Sequence, residues 1–120
     1  MNEITRLNEQ SRNHFLGEIT ITAIEGGIGY WSTVSEYKWI DRWEDVIATI
    51  VEDDDGKEWR IDNDVISKGI SLILSGGVGV GNRLLKTLED AVARKDSGNI
   101  DSEIADCIVQ AGTLGEIVYG

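Results

Sequence analysis

The chain has 120 residues, enough for one domain with one hydrophobic core and too few for several. Its 41% hydrophobic content argues against disorder, no stretch reaches the roughly 20 apolar residues that span a bilayer, and the polar start lacks the apolar core of a signal peptide. Acids outnumber bases 22 to 11, and the resulting charge of −11 opposes direct binding to nucleic acid and to anionic membranes.

Residues 1–10 are polar and are expected to fray. The next stretch, SRNHFLGEITITAIEGG, is ambiguous at its centre. Residues 19–22 alternate as a strand does, while Leu16, Ile19, Ala23 and Ile24 fit one helical face. Helix is the reading taken for 12–25, with Ser11 as cap and Gly26–Gly27 as a left-handed stop. The β-branched residues argue the other way.

WSTVSEYKWI, residues 31–40, alternates clearly. Trp31, Thr33, Ser35, Tyr37 and Trp39 are expected on one face of a strand, and Val34, Glu36, Lys38 and Ile40 on the other. DVIATIVE at 45–52 reads as a second strand and KEWRI as a third. Asp55-Gly56 between them is a hairpin signal.

The period then becomes helical. Asp62 or Asn63 caps a helix whose inner face is Ile66, Gly69, Ile70, Ile73 and Leu74, ended by Gly76–Gly77. Asn82 caps another helix, carrying Leu84, Leu85, Leu88, Ala91 and Val92 inward, and Gly98–Asn99 breaks the chain again. Asp101 caps a third, with Ile104, Cys107, Ile108 and Ala111 inward and acids in the first turn. EIVY at 116–119 reads as a short final strand. The expected fold is α+β: an N-terminal helix, a three-stranded antiparallel meander, then three helices packed on the sheet and a short C-terminal strand.

Charge is concentrated in the meander. Residues 41–64 hold ten acids (Asp41, Glu44, Asp45, Glu52, Asp53, Asp54, Asp55, Glu58, Asp62, Asp64) against Arg42, Lys57 and Arg60, a net −7. EDDDG lacks the alternating acids and the downstream Glu of a calcium loop. It reads as a hairpin tip whose like charges discourage edge pairing. GGVGVGN at 76–82 fails both the dinucleotide and the phosphate-loop patterns and reads as a helix connection. His14 and Cys107 are the one His and the one Cys of the sequence, so a zinc site would need further ligands from carboxylates and a thiol–imidazole dyad would need the two together in space; Cys107 reads instead as a small core residue. A lone cysteine excludes an internal disulfide and suits a reducing compartment. No cofactor and no metal is expected, and no catalytic motif emerges.

EGGIGYW at 25–31, the Tyr37-x-Trp39 pair and the ending DSEIADCIVQAGTLGEIVYG resemble a family of small phage and prophage proteins. The resemblance spans roughly residues 15–120. It carries no activity and no site residue. It implies an accessory gene of a mobile element, acting in the host bacterial cytoplasm.

Charge and resemblance lead to one expectation, a non-enzymatic inhibitor of a bacterial defence system of anti-CRISPR or anti-restriction type. The ten acids of 41–64 would occupy the basic surface with which a host defence protein grips phosphates. The alternative is a sponge for an immune signalling nucleotide. There Trp31, Tyr37, Trp39 and Trp59 would stack on bases, and Arg60 and Arg83 would meet phosphates. A homo-oligomer is compatible with either.

Overall fold

The computed structural model describes residues 3–40 and 45–120. It is α+β, as the patterning predicts: a leading helix, an antiparallel sheet, then three helices. Helix α1 spans Glu3–Thr22 and runs into a single π turn, Ala23–Gly27, whose wide loop is closed by Ile28 N–H donating to Ala23 O at 3.0 Å. Both ends of this element differ from the expected helix 12–25. Residues 3–10 are helical, so Ser11 lies inside the helix and does not cap it. Gly26 and Gly27 are absent from the left-handed region. A Cβ on Gly27 would meet Ser102 O at 2.7 Å, so the glycine serves close approach to a later helix. Tertiary burial overrides the strand preference of the ITIT run. Phe15, Leu16, Ile19 and Ala23 recur at helical spacing and are all buried.

The sheet is β1 (Ser32–Ile40), β2 (Asp45–Glu52) and β3 (Glu58–Ile61), in that order and antiparallel throughout. A bulge between Val34 and Glu36 breaks the expected alternation. Cross-strand partners share a face, and Val46, Ala48, Ile50 and Glu52 are the buried set of β2. Their partners Trp39, Tyr37, Val34 and Ser32 therefore form the inner face of β1. Glu36 and Lys38 lie on the outer face with Thr49 and Ile47. Trp31 precedes the strand in a turn, so the expected five-residue face does not form.

Helices α2 (Asn63–Leu74), α3 (Asn82–Arg94) and α4 (Ser102–Thr113) follow. The Asp62 side chain accepts from Val65 N–H at 3.0 Å, and that of Asp101 from Ile104 N–H at 2.9 Å, so both capping expectations hold. Helix α3 departs from its reading: Gly81 is the cap, Asn82 is the first helical residue, and the helix ends at a left-handed Lys95. Helix α4 is the centre of the fold. It is buried along nearly its whole length, against α2 on one side and the π turn on another. Two glycines let α2 and α4 touch backbone to backbone. A Cβ on Gly69 would lie 2.1 Å from Ile108 O, and one on Gly112 2.2 Å from Val65 O. The tail at 116–119 forms no strand. Its backbone is held instead by a side chain of α4.

Candidate functional site

The β2–β3 hairpin carries the acids. Its turn is closed by Glu52 N–H donating to Lys57 O and Gly56 N–H to Glu52 O, each at 2.9 Å. Gly56 adopts φ 73°, the left-handed position that Asp-Gly supplies. Asp55 Oδ1 accepts from Lys57 N–H at 2.9 Å, and the Thr33 hydroxyl donates to Asp53 Oδ1 at 2.9 Å. Asp53, Asp54 and Asp55 are all exposed, so three consecutive carboxylates project from a hydrogen-bonded turn. The nearest base in sequence is drawn aside: Lys57 Nζ sits 4.2 Å above the Trp59 ring.

The other predicted acids do not gather at this turn. Glu58 is exposed on the outer face of β3, opposite Val51. Asp62 is half-buried, caps α2 and pairs with Arg60 at 3.4 Å. Asp64 is exposed in the first turn of α2. Asp41 and Glu44 lie outside the described residues, and so does the side chain of Asp45, the first residue of β2. Glu52 is the correction. It is 6% exposed, and its two oxygens accept from Trp59 Nε1–H and the Tyr119 hydroxyl, both at 2.7 Å. It belongs to the interior and not to an acidic surface.

Glu52 opens into a polar network that the sequence reading missed. Tyr119 stacks on Trp31 with ring centroids 5.1 Å apart and planes 9° from parallel. Trp31 Nε1–H donates to Asp106 Oδ1 at 2.9 Å, and the Tyr30 hydroxyl donates to Asp106 Oδ2 at 2.5 Å. Gln110, one helical turn on, donates to Asp106 Oδ1 at 2.9 Å and to Tyr119 O at 3.1 Å. Its own carbonyl oxygen accepts from the backbone N–H groups of Val118 and Tyr119 at 2.8 and 2.9 Å. Asp106 is 7% exposed and Gln110 fully buried. A buried carboxylate is costly unless its oxygens are filled, and here donors fill them. The Tyr30 ring is largely exposed while its hydroxyl faces inward. Desolvation of that hydroxyl, then the Asp106 carboxylate, push its pKa from 10.0 up to about 12. Hydrogen bonding to Glu52, then desolvation, raise that of Tyr119. The network clamps the C-terminal tail onto α4 and the sheet. A signal for it existed: Asp106 and Gln110 are polar at i and i+4 within a helix otherwise built for the core.

The residues of the nucleotide reading are not gathered into one place. Trp31 is buried and bonded to Asp106, Trp59 is half-buried beneath Lys57, and Arg60 faces Asp62. Tyr37 and Trp39 are exposed, edge to face at 6.0 Å. Arg83 lines a cleft of about 450 Å³ between the starts of α3 and α4, together with Thr87, Asp90, Asn99, Asp101 and Glu103. Among the described residues, three carboxylates against one guanidinium make that cleft unfavourable for a phosphate, and no aromatic residue lines it. Cys107 is half-buried, and desolvation followed by Asp106 raises its thiol pKa to about 11. It stays a thiol at neutral pH. Among the described residues, no helix is long and apolar enough to cross a membrane, and no three His, Cys, Asp or Glu side chains gather as metal ligands. Comparison of the chain with protein-family models, curated proteins and solved structures finds no match in any of the three.

Proposed function

We propose that the protein is a non-enzymatic binder whose acidic hairpin occupies a basic, phosphate-gripping surface on a bacterial defence protein. The observation that carries this reading is the turn Asp53–Asp54–Asp55: three exposed carboxylates in succession on a closed hairpin, with Lys57 drawn over Trp59. Forks of Arg and Lys that bind phosphate bind carboxylate by the same geometry. Glu58, exposed on the adjoining strand, adds a further carboxylate beside the turn. The interior network supports the reading indirectly. It ties the tail, β2, β3 and α4 together, so the turn is presented by a braced scaffold and little ordering entropy is lost on binding. The rest of the −11 charge speeds encounter with a cationic partner and makes it salt-sensitive.

The test is capture from bacterial lysate with immobilised protein, at low and at high salt, followed by challenge with a DNA or RNA duplex. The expected result is a nucleic-acid-binding protein that high salt releases and nucleic acid displaces. Capture that persists at high salt, or that nucleic acid leaves untouched, would refute the proposal.

A further inference from the structure

We infer that two copies of the chain pair through the open edge of β1, antiparallel, about a twofold axis at Tyr37. Strand β1 is an edge of the sheet. Residues 35–39 are exposed on both of its faces, so this part of the strand extends past the helical cover. Tyr37 is 39% and Trp39 41% exposed, although both occupy the face that is core in the rest of the sheet. Large aromatics this exposed beside an edge strand mark a surface that another strand can cover.

Charge selects the partner and the register. Glu36 and Lys38 share the outer face of β1, two residues apart. Twofold antiparallel pairing keeps each face on its own side, so within this segment the axis falls at residue 36, 37 or 38. An axis at Glu36 sets Glu36 against its own copy, and an axis at Lys38 sets Lys38 against its own copy. Only an axis at Tyr37 sets Glu36 against Lys38 of the other copy, and it does so twice. On the inner face the same register brings the two Tyr37 rings together, with Trp39 at diagonal distance. The segment is therefore complementary to itself in one alignment and repulsive in the neighbouring two. The bulge before Glu36 and the charge of Lys38 deter indiscriminate edge pairing, which leaves this alignment favoured. The acidic turn does not oppose it. The turn follows Glu52, which pairs with Ser32, so it lies beyond the far end of β1. That is roughly 17 Å or more from the axis at 3.3 Å per residue, against a screening length of about 8 Å. The two turns also point in opposite directions. This inference stands independently of what the acidic turn binds.

Sedimentation velocity over micromolar to submillimolar concentrations tests it. The wild type is expected to approach twice the 13.2 kDa of the chain. Glu36→Lys sets Lys against Lys, and Lys38→Glu sets Glu against Glu. Each is expected to weaken the dimer about tenfold or more. An equal mixture of the two variants restores opposite charges at every position and should recover wild-type dimerisation. Circular dichroism checks that both exposed-site variants stay folded. A wild type that remains monomeric overturns the inference, as does a dimer indifferent to the single changes or a mixture that fails to recover.

Discussion

Gly69→Ala offers the sharpest contest between local preference and tertiary structure. In an isolated helix the change is favourable by about 1 kcal/mol. In the fold, the new methyl would sit 2.1 Å from Ile108 O, 3.0 Å from Ile108 C and 3.1 Å from Gly112 N. Non-bonded heavy atoms prefer about 3.5 Å, so α2 and α4 must part by about 1 Å or the helices must bend. All three obstructing atoms are backbone, and no side chain can swing aside. The overpacking cost therefore falls near the upper end of the usual range, about 3 kcal/mol. Net of helix propensity, a loss of about 2 kcal/mol is expected, which lowers Tm by about 8 °C in a domain of this size. Urea unfolding followed by far-UV circular dichroism measures it. Gly112→Ala, whose methyl would lie 2.2 Å from Val65 O, should behave alike. Gly29→Ala, with nothing within 4 Å among the described residues, should stay within about 0.5 kcal/mol of wild type. A Gly69→Ala protein as stable as wild type, or more so, would refute the backbone contact between α2 and α4.

Three further outcomes follow from the interior. Trp31→Phe keeps a ring against Tyr119 but removes a buried donor to Asp106, at an expected cost of about 2 kcal/mol in urea unfolding; a loss below about 0.5 kcal/mol would mean the network does not hold the fold. Thr20 is fully buried and its hydroxyl has no hydrogen-bond partner among the described residues, so Thr20→Val should stabilise by about 1 kcal/mol, and a destabilised variant would contradict that assignment. The folded-state pKa of Tyr30 lies above its ordinary value, so its contribution is complete below pH 10 and declines as pH rises toward 12. The urea midpoint of Tyr30→Phe should therefore fall less than that of wild type across this window, and identical curves would remove Tyr30 from the alkaline transition.

Much of the architecture was legible in the sequence because periodicity and punctuation agree over most of the chain. Asp55-Gly56, Asp62 and Asp101 each do locally what their residue types favour. The misreadings share a physical cause, which is that distant partners decide them. The bulge before Glu36 exchanges the faces of β1, and nothing within WSTVSEYKWI announces it. Gly26–Gly27 resembles a helix stop, yet Gly27 is set by the approach of Ser102 O. EIVY has strand composition, but Gln110 takes its backbone bonds before any ladder can. At the candidate site, the exposed Asp53–Asp55 turn could be read from consecutive acids before glycine. The burial of Glu52 could not, because it depends on Trp59 and on Tyr119, 67 residues away.

Neutralising the turn tests the functional account most directly. The Asp53→Asn/Asp54→Asn/Asp55→Asn variant keeps side-chain size and the turn's hydrogen-bonding groups while removing three charges. Against the protein captured from lysate, its affinity should fall about tenfold or more at low salt, and the dependence of affinity on salt should become shallower. Equal affinity and an unchanged salt dependence would contradict the assignment of the turn as the binding surface.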